Sequence, residues 1–205
     1  MADLFIVGQY EGVAATTAVS IGSQVMHMLT VMLVGLAMGT TVSIARAVGA
    51  GNRAEAAKAT GNTVTLFAVV SLALTAVLLL LVRPITAVMS TPAEAVDGTA
   101  AYLTICFCGI PFITAYNILS SIFRGMGDSK SPMYFVAVAC AANIALDYFF
   151  MGALHMGPAG AALGTTLSQA LSVLIALLAI RKCRMISLQK SDLRPQKAVM
   201  GQILR

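Results

Sequence analysis

The sequence predicts an all-α integral membrane protein with five complete transmembrane helices and, at its N-terminus, the end of another. The first observation is composition. Of the 205 residues, 59% are hydrophobic and 10% are charged, whereas a soluble domain of this size needs polar residues to cover its surface. The second is that long uncharged runs alternate with short polar breaks. The third is the distribution of lysine and arginine, which orients those runs.

The uncharged runs define the predicted elements in order. Residues 1–8 are apolar apart from Asp3 and too short to cross a bilayer of about 30 Å, so we interpret them as the end of a helix. No charged residue occurs between Glu11 and Arg46, which predicts one long or tilted helix. The remaining predicted spans are residues 59–82, 99–123, 132–152 and 161–180. Pro111 in the third of these five spans predicts a kink, because proline removes a helical hydrogen bond.

The basic residues predict the orientation of the spans. Of the 13 lysines and arginines, all except Arg83 lie in three alternate connections, residues 46–58, 124–132 and 181–205. The positive-inside rule places these connections in the cytoplasm and the loop that contains His155 outside. The net charge of +5 is therefore a topology signal, and we expect contact with the lipid bilayer and no nucleic-acid partner.

The predicted span 132–152 carries two polar residues, Asn143 and Asp147. Residues four apart lie one turn apart on the same face of a helix. An aspartate at mid-bilayer costs about 2.5–3.5 kcal/mol, so it requires a partner or a function. An amide oxygen beside a carboxylate can hold a hard cation or a shared proton. The alternative is that Asn143 only satisfies Asp147 inside a helix bundle.

Other polar residues within the spans are candidates for lining a substrate cavity. Methionine suits adaptable binding surfaces, and buried amides and hydroxyls otherwise form interhelical hydrogen bonds. The candidates are Gln24, Met28, Tyr116, Asn117 and Gln169. The sequence contains no P-loop, no G-x-S-x-G motif and no metal-ligand spacing of histidine and cysteine, so neither an enzyme nor a bound cofactor is expected.

Five segments of the chain are distinctive in their order and separation. They are ADLFIVGQYEG, MGTTVSIARAVGAGNRAEAAKATG, FRGMGDSKSPMY, NIALDYFFM and GPAGAALGTTLSQ. Together they resemble the MATE (multidrug and toxic compound extrusion) transporters, and the resemblance extends over nearly the whole chain.

This resemblance implies a fold of twelve helices in two six-helix lobes, in the inner or plasma membrane, with a cavity between the lobes. Such proteins export cationic or amphipathic drugs or toxins in exchange for Na⁺ or H⁺. The chain resembles the amino-terminal lobe only, with both ends truncated. Residues 1–182 are expected to form the membrane lobe, and residues 183–205 a cytoplasmic connection to a second six-helix lobe that this chain lacks.

The resemblance also implies a coupling-ion site, because four residues match positions that hold the cation in some members. These are Asp3, Asn143, Asp147 and Thr165. Two rival interpretations remain. A lipid-oligosaccharide flippase of the wider superfamily would favour a more cationic cavity, whereas the predicted spans contain no lysine or arginine. The other rival is a membrane fragment that does not transport.

Overall fold

The computed structural model of the protein describes residues 2–183, and all regular structure within them is helical. The helices are α1 (Ala2–Tyr10), α2 (Val13–Gly49), α3 (Arg53–Leu80), α4 (Val82–Val88), α5 (Val96–Cys108), α6 (Ile110–Gly125), α7 (Lys130–Asp147) and α8 (Gly157–Cys183), with a 3₁₀ turn at Ala93–Ala95 and a π-helix at Tyr148–Ala153. The predicted connection 183–205 lies outside the described residues from residue 184 onwards.

Helix α2 is one uninterrupted helix of 37 residues, as predicted. At 1.5 Å per residue it is about 55 Å long, well above the thickness of a hydrocarbon core. The turn after it uses Gly51 with a positive φ of 71°, a conformation that favours glycine. Asn52 then caps α3, because its side-chain oxygen accepts a hydrogen bond from the amide of Glu55 and its amide nitrogen donates to the Glu55 carboxylate.

The predicted kink at Pro111 is confirmed. The span consists of α5 and α6, which meet at Gly109 with a bend of 46°. Pro111 is the second residue of α6, where the absence of an N–H costs no helical hydrogen bond. A side chain at Gly109 would lie 2.8 Å from the hydroxyl of Thr166 in α8, so glycine permits the close approach of the two helices.

Four helices within residues 2–183 are long and apolar enough to cross a membrane, and the bent α5–α6 pair adds a fifth when it is counted as one span. This agrees with the five predicted complete spans. Between α3 and α5, where a loop is predicted, the chain forms the short helix α4 and a 3₁₀ turn. Large apolar side chains such as Met28, Leu80 and Val88 are at least 77% exposed, which suits a surface in contact with lipid.

The core lies around α5 and α6. The rings of Phe107 and Phe123 are completely buried, and α6 packs against α2, α3 and α8. Gly125 brings α6 close to α2, because a Cβ atom there would lie 2.8 Å from Cβ of Ile44. Small residues commonly allow such contacts between membrane helices. At the other side of the bundle α7 packs on α8, and α1 contacts both of them.

Candidate cation site

Asp147 is the last residue of α7, and its side chain is completely buried. Neither carboxylate oxygen has a hydrogen-bond partner among the described residues. The chain continues as a wider π-helix from Tyr148 to Ala153, a geometry that is often found at functional sites. Asp147 therefore combines full burial with two unsatisfied acceptors, which is costly for a carboxylate unless a cation or proton is available.

Gly164 makes room for this carboxylate on the opposing helix α8. A Cβ atom at position 164 would coincide with the space taken by Oδ1 of Asp147 and would lie 3.4 Å from its carboxyl carbon. The Asp147 side chain consequently rests directly on the backbone of α8, and Gly164 is immediately followed by Thr165.

Helix α1 brings a second carboxylate to the same place. Thr165 donates a hydrogen bond from Oγ1 to Oδ2 of Asp3 over 3.3 Å, and Asp3 is close enough to Asp147 for a direct electrostatic interaction. The far end of α1 is held by Tyr10, which packs edge-to-face on Tyr148 with 6.3 Å between ring centroids. The hydrogen bond between Thr165 and Asp3 thus joins residues that are 162 positions apart in sequence.

A cavity of about 300 Å³ opens beside these groups. Asp3, Asn143 and Thr165 line it together with Tyr116 and Gln169. Asn143 Nδ2 and Gln169 Oε1 are buried without a hydrogen-bond partner in the described part of the chain. Asp147 does not line this cavity but lies behind it, against Gly164. Three of the four predicted ion-site residues thus share one cavity, and the fourth is adjacent.

The arrangement is suited to a hard cation or a proton. Two carboxylates that approach each other in a region of low dielectric repel strongly, and a bound positive charge removes this repulsion. Carboxylate, hydroxyl and amide oxygens are also the ligands that hard cations prefer. Asp3, Asp147, Thr165 and Asn143 supply all three kinds.

The five predicted substrate-cavity residues occupy three places. Tyr116 and Gln169 line the cavity beside Asp3. Gln24 and Met28 line a separate, mostly apolar cavity of about 500 Å³ between α2, α3 and α4. Asn117 lines neither of these two cavities, and its amide donates a hydrogen bond over 2.8 Å to the carbonyl of Ile113 in its own helix α6.

Tyr102 of α5 was not predicted as part of the site. It is 2% exposed and close enough to Asp3 and Asp147 to interact electrostatically with both. Its ring packs on Gly22 of α2, where any side chain would overlap the ring. The only signal in the sequence is a hydroxyl within an apolar span, and this does not indicate which groups it faces.

Comparison with known proteins gives consistent matches along the chain. The profile of the MatE family matches residues 1–149. The probable multidrug resistance protein NorM of Thermotoga maritima is 31% identical over 209 residues, an alignment that covers all of this chain and 45% of that protein. The probable multidrug resistance protein YpnP of Bacillus subtilis is 29% identical, with 90% of this chain and 41% of that protein covered.

Solved structures agree with these matches. A crystal structure of MATE in the bent conformation superposes with a TM-score of 0.93 at 26% sequence identity, over 99% of this chain and 46% of that one. An inward-facing multidrug resistance MATE transporter of the MOP superfamily gives a TM-score of 0.91 at 25% identity. The chain spans somewhat less than half the length of these relatives.

Proposed function

Because the chain belongs to the MatE family, we propose that it forms one lobe of a cation-coupled multidrug efflux antiporter. The family consists of membrane transporters rather than enzymes, and the chain is a multi-pass protein of the cell membrane. The relatives are named as multidrug resistance proteins, which supports drug export as the transport activity. Their greater length supports a second lobe as the partner of this one.

The observation that supports ion coupling is the burial of Asp147 without a hydrogen-bond partner beside a second carboxylate, Asp3. A buried charge of this kind is normally paired or neutralised. In our proposal Na⁺ or H⁺ supplies the positive charge. Asp147 and Asp3 bind it, and Asn143 and Thr165 act as neutral ligands. We further propose that Tyr116 and Gln169 face the transported compound where their cavity meets this site.

The site couples to transport through its three helices. Asp3, Asp147 and Thr165 come from α1, α7 and α8, so a bound cation draws these helices together. An ion shifts a conformational equilibrium only by the difference between its affinities for the two states. The ion gradient therefore drives export of a cationic or amphipathic compound when the assembled site belongs to one access state and the separated carboxylates to the other.

A lipid-oligosaccharide flippase is the second candidate, and the character of the cavity argues against it. The cavity beside Asp3 contains a carboxylate and neutral polar groups, and none of the described residues that line it is a lysine or arginine. Such a surface favours cations and disfavours the anionic phosphates of a lipid-linked oligosaccharide.

The test is Asp147→Asn in the gene with its natural flanking sequence, expressed in a strain that lacks its own exporters. The substitution removes the charge and preserves the shape, so the protein should accumulate in the membrane. Transport per unit of membrane protein should collapse, and drug binding should lose its dependence on Na⁺ or on pH. Asn143→Ala should act in the same direction more weakly, because it removes one neutral ligand.

Asp97→Asn provides a matched control, because Asp97 is an exposed aspartate in the first turn of α5. It should leave both abundance and transport unchanged. A purely structural role for Asp147 predicts lower abundance with unchanged activity per molecule. Full, ion-dependent transport by the Asp147→Asn protein would end the proposal.

A further inference from the structure

A second cavity, of about 760 Å³, carries a charge opposite to that of the candidate cation site: it is lined by basic side chains, whereas the cation site contains carboxylates. It is formed where the C-terminal end of α2 meets the beginning of α3, and its basic side chains are Arg46 and Lys58. We propose that this groove, which we call the α2–α3 groove, binds an anionic phospholipid, with the phosphate between Arg46 and Lys58 and the upper part of an acyl chain along α2.

The groove carries a net positive charge, because Arg46 and Lys58 outnumber Glu55 among its described lining residues. Glu55 is the carboxylate that lines it, and this carboxylate accepts a hydrogen bond from Asn52 Nδ2 over 3.0 Å as part of the cap of α3. Arg46 and Lys58 are exposed. Neither forms an ion pair or a side-chain hydrogen bond with any residue whose side chain the structure describes. Two cations are thus available for an anionic group.

The groove becomes apolar with distance from these cations. Met38 and Val42 line it on α2, and both side chains are more than half exposed. Met38 is eight residues from Arg46, which corresponds to about 12 Å along a helix. Arg46 and Lys58 lie near the ends of two helices that are long and apolar enough to cross a membrane, and the ends of such helices meet the headgroup region of a bilayer. A phosphate above an acyl chain matches this order of charged and apolar surface.

The groove is spatially separate from the proposed cation site, because among the described residues none lines both the groove and the cavity beside Asp3. Basic pockets between membrane helices are a recurrent way of holding anionic lipid headgroups. The sequence connection 46–58, which contributes no residue to the proposed cation site, would then have a role in lipid binding.

The experiment measures lipid binding to the purified protein by native mass spectrometry, with phosphatidylglycerol and phosphatidylcholine of identical acyl chains. Phosphatidylglycerol should bind more tightly. Arg46→Gln and Lys58→Gln should each weaken its binding about fivefold, and the double variant about 25-fold, since one surface cation contributes about 1 kcal/mol to anionic lipid binding. Arg46→Lys should retain binding, because it keeps the charge.

Arg83→Gln is the matched control, because Arg83 is an exposed cation in α4, away from the groove. Circular dichroism and thermal unfolding establish that each variant is folded. Val42→Gln is a second test that leaves the charges unchanged, and it should weaken binding by placing an amide on the path of the acyl chain.

Any one of four results would overturn the proposal. One is equal binding of the two lipids, and another is undiminished binding by the folded double variant. The third is displacement of phosphatidylglycerol by millimolar inorganic phosphate, which would identify a site for free phosphate rather than for lipid. Unchanged binding by the Val42→Gln protein would likewise exclude the acyl-chain path.

Discussion

A methyl group at position 164 would occupy the place of Oδ1 of Asp147, so Gly164→Ala tests the candidate site without removing any of its polar groups. The carboxylate would have to move off the backbone of α8. The substitution keeps α8 helical, because alanine is a better helix former than glycine. The substitution therefore tests whether the position of the Asp147 carboxylate matters, because the carboxylate itself is retained.

The expected magnitudes differ for folding and for ion binding. Added volume in a packed interior costs about 1–3 kcal/mol, offset by about 1 kcal/mol of helix propensity, so folding should weaken by at most about 2 kcal/mol. Loss of one favourable contact to a charged group costs about 1.5–3 kcal/mol. The apparent affinity for the coupling cation should consequently fall about 10- to 150-fold.

The assay is drug export per unit of membrane protein across a Na⁺ series and a pH series. The half-saturating concentration of one cation should rise while protein abundance changes little. Gly35→Ala is the control, because Gly35 also lies within a long helix but a Cβ atom there meets nothing within 4 Å. Wild-type ion dependence of the Gly164→Ala protein would refute a coupling role for the packed Asp147 carboxylate.

Three further predictions concern other parts of the bundle. Hydrogen bonds from the hydroxyl and amide of Ser131 lower the pKa of Asp128 from its ordinary value of 3.8. Asp128→Ala should therefore reduce the unfolding free energy by about 1 kcal/mol at neutral pH. This difference in unfolding free energy between wild type and variant should vanish as acid protonates the wild-type carboxylate below pH 3.8. Gly125→Ala should lower the free energy of unfolding by about 1–3 kcal/mol, because the added methyl group would press against Ile44. An unchanged melting temperature would contradict this packing. A cysteine at Glu55 should react with an impermeant reagent only after cells are permeabilised, because the basic connection is predicted to be cytoplasmic.

The course of the helices was largely predictable from the sequence. The uncharged stretch after Glu11 forms the single long helix α2, because a continuous apolar backbone in lipid must satisfy its own hydrogen bonds. The bend between α5 and α6 follows from Pro111 for a similarly local reason. The π-helix after Asp147 was not predicted, since none of its residues distinguishes it from the end of an ordinary helix.

The candidate site was predictable only in part. Asn143 and Asp147 are paired by helical spacing, which is a local property. Asp3 and Thr165 were assigned through resemblance alone, because no local pattern relates residues that are 162 positions apart. The five proposed cavity residues are all polar or adaptable, yet the bundle distributes them over separate places.

The sequence by itself determined that this protein lies in a membrane, which segments are long and apolar enough to cross it and where one of them bends. These properties depend on the transfer of contiguous residues into lipid and on backbone hydrogen bonding, both of which act within a single helix. Only the tertiary structure decided that Asp147 rests on Gly164 and approaches Asp3, and that Tyr102 lies close enough to both carboxylates for an electrostatic interaction. Such contacts depend on which faces of α1, α5, α7 and α8 pack together, and small residues and close van der Waals fit govern that choice in a bilayer, where hydrophobicity does not distinguish one apolar face from another.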